Sequence, residues 1–234
     1  MFKLEGSTSF RASHVALALA IVSSLSPLAA AEPKWISLFD GKTLTGWKQL
    51  GGEAKFSVRD GAIVGTVTAD VKQNSFLTTE KLFGDFVFEG EFKAADGINT
   101  GVQFRSAPPD DTVKRVYGYQ CEIDPTPRGL TGGLYEEGRR GWFSPKANKG
   151  EPQVAWAKAH AGIYRPGEWN TMRIEARGPK LRIWINGKPT VDYEDKDDTR
   201  IRRGFFGLQV HTTTNPKLHG KEALFRNFRV QPLD

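Results

Sequence analysis

Polar and apolar residues trade places at every second position in one short run after another from Ala54 to Leu233. Successive side chains of a β-strand point to opposite faces, so this period of two is the mark of a half-buried strand. "AKFSVRDGAIVGTVT" reads as two strands around the turn residues Asp60-Gly61, and "GDFVFEGEFKAA" as one longer strand. "NTGVQFRSA", "YGYQCEID", "NTMRIEARG", "GFFGLQVH" and "ALFRNFRVQPL" follow the same rule. "KLRIWINGKPTVDYED" places Asn186-Gly187 between two such runs, the strongest short hairpin signal a sequence can carry. Beyond one short turn, no segment shows a helical period. Many short strands closed by Gly, Asp and Pro turns predict an all-β fold, an antiparallel sandwich or jelly roll of two face-packed sheets.

The first 31 residues read differently. Lys3 and Arg11 precede the apolar run "VALALAIVSSLSPLAA" (Val15 to Ala30), which ends in small residues, the layout of an export signal. The expectation is a processed signal over 1–31 and a single domain over 32–234, periplasmic or extracellular. That run, broken by serines and Pro27, is short for a membrane span, and no later stretch is long and apolar enough for one. Removing 1–31 from the 234 residues leaves 203, with six Trp and fifteen Phe in the whole chain to build a core. Cys121 is the only cysteine, so no intrachain disulfide forms; on the apolar face of its strand it reads as a small buried hydrophobe. The net charge of +6 comes from scattered basic residues mixed with acids, without the tracts or motifs of a nucleic-acid binder. Nor is there a P-loop, a G-x-S-x-G or a zinc-type His pair.

The stretch from Pro125 to Gly167 breaks the strand pattern and reads as a long functional loop, with Tyr135, Arg139 and Trp142 as candidate ligand contacts. Three strands carry a second signal. Gln103 and Arg105 share a face of "GVQFRS", Gln120, Glu122 and Asp124 share one of "YQCEID", and Gln209 and His211 share one of "GLQVH". If these strands are neighbours, their polar faces merge into a surface of carboxylates, amides, an imidazole and a guanidinium. Such a surface suits a polyhydroxylated ligand, with Tyr135 and Trp142 covering the apolar side of a sugar ring. The plain alternative is a solvated outer face. Glu122 and Asp124 stand roughly 6.5–7 Å apart at their bases, a spacing that does not decide between retaining and inverting glycosidase pairs. Sandwich glycosidases of the laminarinase type carry a third acid shortly after E-x-D; here Pro125-Thr126-Pro127-Arg128 follows, which argues against ordinary hydrolysis.

Taken in order, "WISLFDGKTLTGW", "FGDFVFEGEF", "NTGVQFRS", "YGYQCEID", "TGGLYEEG", "PGEWNTMRIEARG", "WINGK", "GLQVH" and "LFRNFRV" resemble the 3-keto-disaccharide hydrolase domain of secreted bacterial proteins. The resemblance spans Trp35 to Val230 and implies a concanavalin A-like jelly roll. It also implies an enzyme that cleaves glycosides already oxidised to a ketone at sugar C3. The resemblance also implies an acid and then an amide in many relatives where this chain has Gln120 and then Glu122. A C3 ketone acidifies the C2 hydrogen, so a base can remove it, the C1–O bond breaks by elimination, and water then adds. On that chemistry Glu122 and His211 are the base and acid in one order or the other, and Arg105 stabilises the enolate oxygen. Gln103, Gln120 and Gln209 hold hydroxyls, and Asp124 orients His211 or Arg105. No cofactor is required, although a divalent metal can take the place of Arg105. The competing expectation is a carbohydrate-binding module without turnover.

Overall fold

The computed structural model describes residues 34–69 and 72–234, together with Met1, Phe2 and Gly6. The apolar run Val15 to Ala30 therefore lies outside the described residues. The chain divides into two units, Met1–Glu32 and Pro33–Asp234, and the sheets all belong to the second.

Among the described residues fifteen strands run in chain order: β1 (Ile36–Ser37), β2 (Trp47–Gly51), β3 (Lys55–Arg59), β4 (Ala62–Thr66), β5 (Ser75–Thr79), β6 (Phe86–Ala94), β7 (Thr100–Ala107) and β8 (Tyr117–Ile123), then β9 (Leu134–Glu137), β10 (Gly141–Ser144), β11 (Asn170–Arg177), β12 (Lys180–Ile185), β13 (Lys188–Glu194), β14 (Phe205–Val210) and β15 (Glu222–Pro232). They form two antiparallel sheets, as expected. One has eight strands in the order β13-β12-β11-β6-β15-β4-β3, with β1 beside β15. The other has seven, in the order β10-β9-β8-β7-β14-β5-β2. Asn186 and Gly187 both take positive φ, +49° and +73°, in the tight turn from β12 to β13. Gly187 supplies that conformation without the steric cost other residues meet.

Aromatic rings fill the space between the sheets. Phe86 and Phe88 of β6 meet Phe206 of β14 with centroids 4.7 Å apart in both pairs, and Phe86 meets Phe104 of β7 edge-on at 6.1 Å. Such pairs add about 0.5–1.5 kcal/mol each beyond the area they bury. Cys121, Ile123, Val102, Leu208 and Leu134 of the seven-stranded sheet share this core, so Cys121 faces inward and is fully buried.

Two features differ from the sequence reading. The middle segment is not a loop: it contributes β9 and β10 to the end of the seven-stranded sheet and then a helix, α1 (Gly150–Ala159). α1 buries only Trp156, which stacks on His160 at 3.9 Å. A helix fixed by one anchor has no apolar stripe to read at a period of 3.6.

The second difference is at Arg105. Gln103 pairs with Gly207 but Ser106 with Phe205; on the other side Phe104 pairs with Tyr119 but Ala107 with Tyr117. β7 thus holds one residue more than either neighbour, a β-bulge, with Arg105 at φ +44°. The bulge cancels the alternation that had put Arg105 beside Gln103. Its side chain crosses to the other sheet, where Nε donates to Gly84 O at 2.8 Å, Nη1 to Gly178 O at 2.7 Å and Nη2 to Asp85 Oδ1 at 2.6 Å. Arg105 ties the two layers together.

Candidate active site

β8, β7 and β14, the three strands with polar faces, are adjacent in the seven-stranded sheet. Their register aligns the outward side chains in rows. Gly207 lies opposite Gln103, Gln103 opposite Gln120, Gln120 opposite Tyr135 and Tyr135 opposite Trp142, one row across five strands. In the next row Gly101 lies opposite Glu122. A side chain at Gly101 would stand 2.6 Å from the Gln120 amide carbon, so glycine leaves the space into which Gln120 folds.

The result is a cleft of about 330 Å³ lined by Gln120, Glu122, Tyr135, Trp142, Gln209 and His211, with Asn74, Asn99, Arg115, Arg128, Glu137 and Asn148 around them. Its size is at the lower end for small-ligand sites. An adjoining compartment shares Asn74, Arg115, Glu137 and His211 as a common wall. A larger groove of about 710 Å³ crosses the outer face of the eight-stranded sheet. Its charges neutralise one another, with Arg173 and Arg229 each 2.5 Å from Glu89, so it offers no free acid or base there.

Glu122 is the centre of the cleft. Asn99 Nδ2 donates to its Oε1, and Gln120 Nε2 donates to its Oε2 at 3.0 Å. Gln120 Nε2 also reaches Gln209 Oε1 at 3.3 Å, and Gln209 Nε2 reaches Glu137 Oε2 at 3.4 Å. Two amides thus link two buried carboxyls. Burial pushes the Glu122 carboxyl up to about 7; the nearby Asp124 charge adds to the rise, while the two amide donors and Arg128 oppose it. Burial also raises Glu137, against the charge of Arg115, 3.9 Å away, and a bond from Asn74.

His211, just past β14, has Nδ1 2.6 Å from the Thr212 carbonyl oxygen. A carbonyl only accepts, so Nδ1 carries the proton. Burial and the charge of Arg128 hold the imidazole below its usual pKa of 6.5, so it is neutral at pH 7 with its lone pair on Nε2.

Not every predicted residue reaches the cleft. Arg105 is taken up by the other sheet. Asp124 contacts neither His211 nor Arg105: its side chain is fully buried, accepts from Thr126 N at 3.2 Å and stands 3.0 Å from Arg128 Nη2. Arg139 bonds the Thr199 carbonyl and hydroxyl at 3.2 and 2.9 Å, away from the cleft. Gln103 lies on the predicted face but is fully covered, and its amide has no hydrogen-bond partner among the described residues. Tyr135 and Trp142 do form one wall, with ring centroids 5.1 Å apart.

Asn99, Glu137, Asn74, Arg115, Arg128 and Asn148 were missed. The first two carried a signal: Asn99 continues the alternation of Gly101 and Gln103, and Glu137 that of Tyr135.

The raised Glu122 carboxyl has a consequence for stability. A group whose pKa is higher in the folded chain stabilises the fold fully below its ordinary value, here 4.5, and loses that contribution as pH rises through about 7. The gap corresponds to roughly 3 kcal/mol. Urea unfolding at pH 5 and pH 8 is expected to show a loss of that order in the native chain. Glu122→Gln is expected to lack that share of the loss; equal pH slopes in both proteins would contradict it.

No curated protein matches the chain. Among solved structures, a candidate glycosyl hydrolase from Parabacteroides distasonis superposes with a TM-score of 0.57 at 20% identity, over 86% of this chain and 94% of that one. The carbohydrate-binding module CBM66 from Bacillus subtilis gives 0.52 at 19% identity, over 80% and 97%. A β-glucanase from Bacillus licheniformis gives 0.51 at 10%, over 87% and 99%. At these identities the likeness is one of fold. The family model of 3-keto-alpha-glucoside-1,2-lyase-like domains matches residues 34–231, nearly the whole described chain, and the protein therefore belongs to that family.

Proposed function

We propose that this protein is an exported enzyme that cleaves glycosides bearing a ketone at sugar C3, with residues 1–31 as the export signal. Removal of the C2 proton, elimination of the C1 substituent and addition of water give net hydrolysis. The observation that carries this reading is the pairing in one cleft of a carboxyl raised to about 7 with an imidazole held below 6.5. Between those two values the prevailing state is a protonated Glu122 and a neutral His211. Nε2 of His211 is then ready to accept the C2 proton, and Glu122 to protonate the departing oxygen. Tyr135 and Trp142 cover the ring, while Gln120 and Gln209 position hydroxyls and hold Glu122 and Glu137 in place. Among the described residues no three His, Cys, Asp or Glu side chains gather as a metal site.

The test is a pair of substrates, a 3-keto-glucoside and its parent glucoside. Only the ketone is expected to be cleaved, because only its C2 hydrogen is acidic. Equal cleavage of both means ordinary glycoside hydrolysis; binding without cleavage of either means a carbohydrate-binding module. The rate on the keto substrate should follow a bell against pH. It rises as His211 loses its proton below 6.5 and falls as Glu122 loses its own near 7.

A further inference from the structure

With Arg105 bound into the other sheet, the cleft needs another group to carry the negative charge that reaches the C3 oxygen when the C2 proton leaves. Two guanidiniums line it, Arg115 and Arg128. Arg115 is 66% exposed and faces the Glu137 carboxylate, 3.9 Å away. Arg128 is held differently. Its Nη2 sits 3.0 Å from Asp124, a carboxylate with no exposure, and its Nε bonds Thr126 Oγ1 at 3.4 Å. Its main chain is fixed as well: the backbone N–H bonds Thr126 Oγ1 at 3.3 Å, and Gln153 of α1 donates to its carbonyl at 2.5 Å. Asp124 in turn directly follows β8, the strand that carries Glu122, and its own N–H donates to Thr131 Oγ1 at 3.0 Å. The guanidinium is thus held by groups that lie outside the cleft lining while 43% of its side chain stays open.

We propose that Arg128 is the electrophile of the reaction, donating to the C3 oxygen as it becomes an enolate, and that Asp124 is the positioning residue that holds it there. The inference rests on the 3-keto-glycoside reading above. In the step, His211 Nε2 takes the C2 proton and the C2–H electrons form the C2–C3 double bond. The carbonyl electrons move onto the C3 oxygen facing Arg128. That oxygen then returns its charge, the C1–C2 double bond forms, and the C1–O bond breaks with the Glu122 proton going to the leaving oxygen. A fixed charge aimed where negative charge develops acts on the transition state more than on bound substrate. The same guanidinium also lowers the pKa of both Glu122 and His211, which places its charge within reach of both.

The experiment uses a 3-keto C-glycoside of an alkyl aglycone, which has no exocyclic C1–O bond to break, so exchange of its C2 hydrogen in D2O reads enolate formation without departure of the aglycone. Arg128→Met is expected to slow this exchange, and kcat on an O-linked 3-keto-glucoside, by roughly 10²–10³-fold with KM changed little. Arg128→Lys should recover part of the loss, and Asp124→Asn should cause a smaller one. The bell in pH should also move to higher pH in Arg128→Met, since Glu122 and His211 both lose a nearby positive charge; a purely structural role would not shift it. Unchanged exchange, or a rise in KM with kcat intact, overturns the inference and leaves the proposed function standing. A native protein that neither exchanges nor cleaves overturns both.

Discussion

Glu122→Gln is expected to lower kcat on a methyl 3-keto-glucoside by roughly 10²–10⁴-fold, the usual worth of a positioned acid. Glutamine keeps the shape and carries no proton to give. A nitrophenolate leaves without needing one, so on a 4-nitrophenyl 3-keto-glucoside the loss should shrink to less than about tenfold. Exchange of the C2 hydrogen should survive in this variant. His211→Asn should behave in the opposite way, losing exchange and both cleavage reactions together. The contrast matters because the bell in pH cannot tell the assignments apart: a proton on Glu122 and none on His211, or the reverse, are the same count. The tautomer of His211 and the order of the two pKa values favour the first. Loss of exchange in Glu122→Gln with its retention in His211→Asn would reverse the roles. Full activity in Glu122→Gln would remove it from proton transfer altogether.

Arg140→Met is expected to destabilise the fold by about 3–5 kcal/mol, the cost of removing one partner from a buried ion pair. Arg140 stands among three carboxylates. Its Nε lies 2.5 Å from Glu136, Nη2 2.6 Å from Asp195 and Nη1 3.2 Å from Asp197. Tyr119 donates its hydroxyl to Asp195, and the guanidinium stacks on Phe143 at 4.8 Å. Glu136 and Asp195 are almost fully buried, so methionine leaves Asp195 without a bonded cation and Glu136 with only the Arg139 guanidinium, 3.4 Å away. Burial alone would raise Asp195, but Arg140 and Tyr119 hold it below its ordinary value. A lowered carboxyl adds stability above its ordinary pKa and loses it as pH falls through the folded one. The variant should lose that acid-side dependence along with a melting temperature drop of roughly 10 °C. A change under about 1 kcal/mol would show that solvent screens the cluster as it does surface pairs.

The fold was legible because its signals are local. Period-two runs, Asp60-Gly61 and Asn186-Gly187 name strands and turns without long-range information. The cleft floor was legible for the same reason: Gln120, Glu122 and Gln209 keep their alternation, and the strands that carry them are neighbours. Arg105 was not, because a single inserted residue in β7 inverts every face assignment beyond it, and composition does not announce a bulge. Arg128 was hidden in another way. Its place depends on a turn that brings it back to Asp124, four residues earlier, whereas strand alternation offered Asp124 only His211 or Arg105 as a partner. α1 escaped because one tryptophan does the packing that a stripe usually does.

Glu122 stands on a strand flanked on both sides, whereas Tyr135 and Trp142 ride on β9 and β10 at the end of the sheet. On the proposed function, recognition and reactivity therefore occupy different parts of the fold. Substitutions at Tyr135 and Trp142 alter the shape of the wall they form, while the ion pairs of Arg140 keep the hairpin itself in place. The same changes in β8 would pass through the core to Phe104 and Cys121. On the proposed function, the sugars accepted can thus diverge while Glu122 and His211 stay where they are.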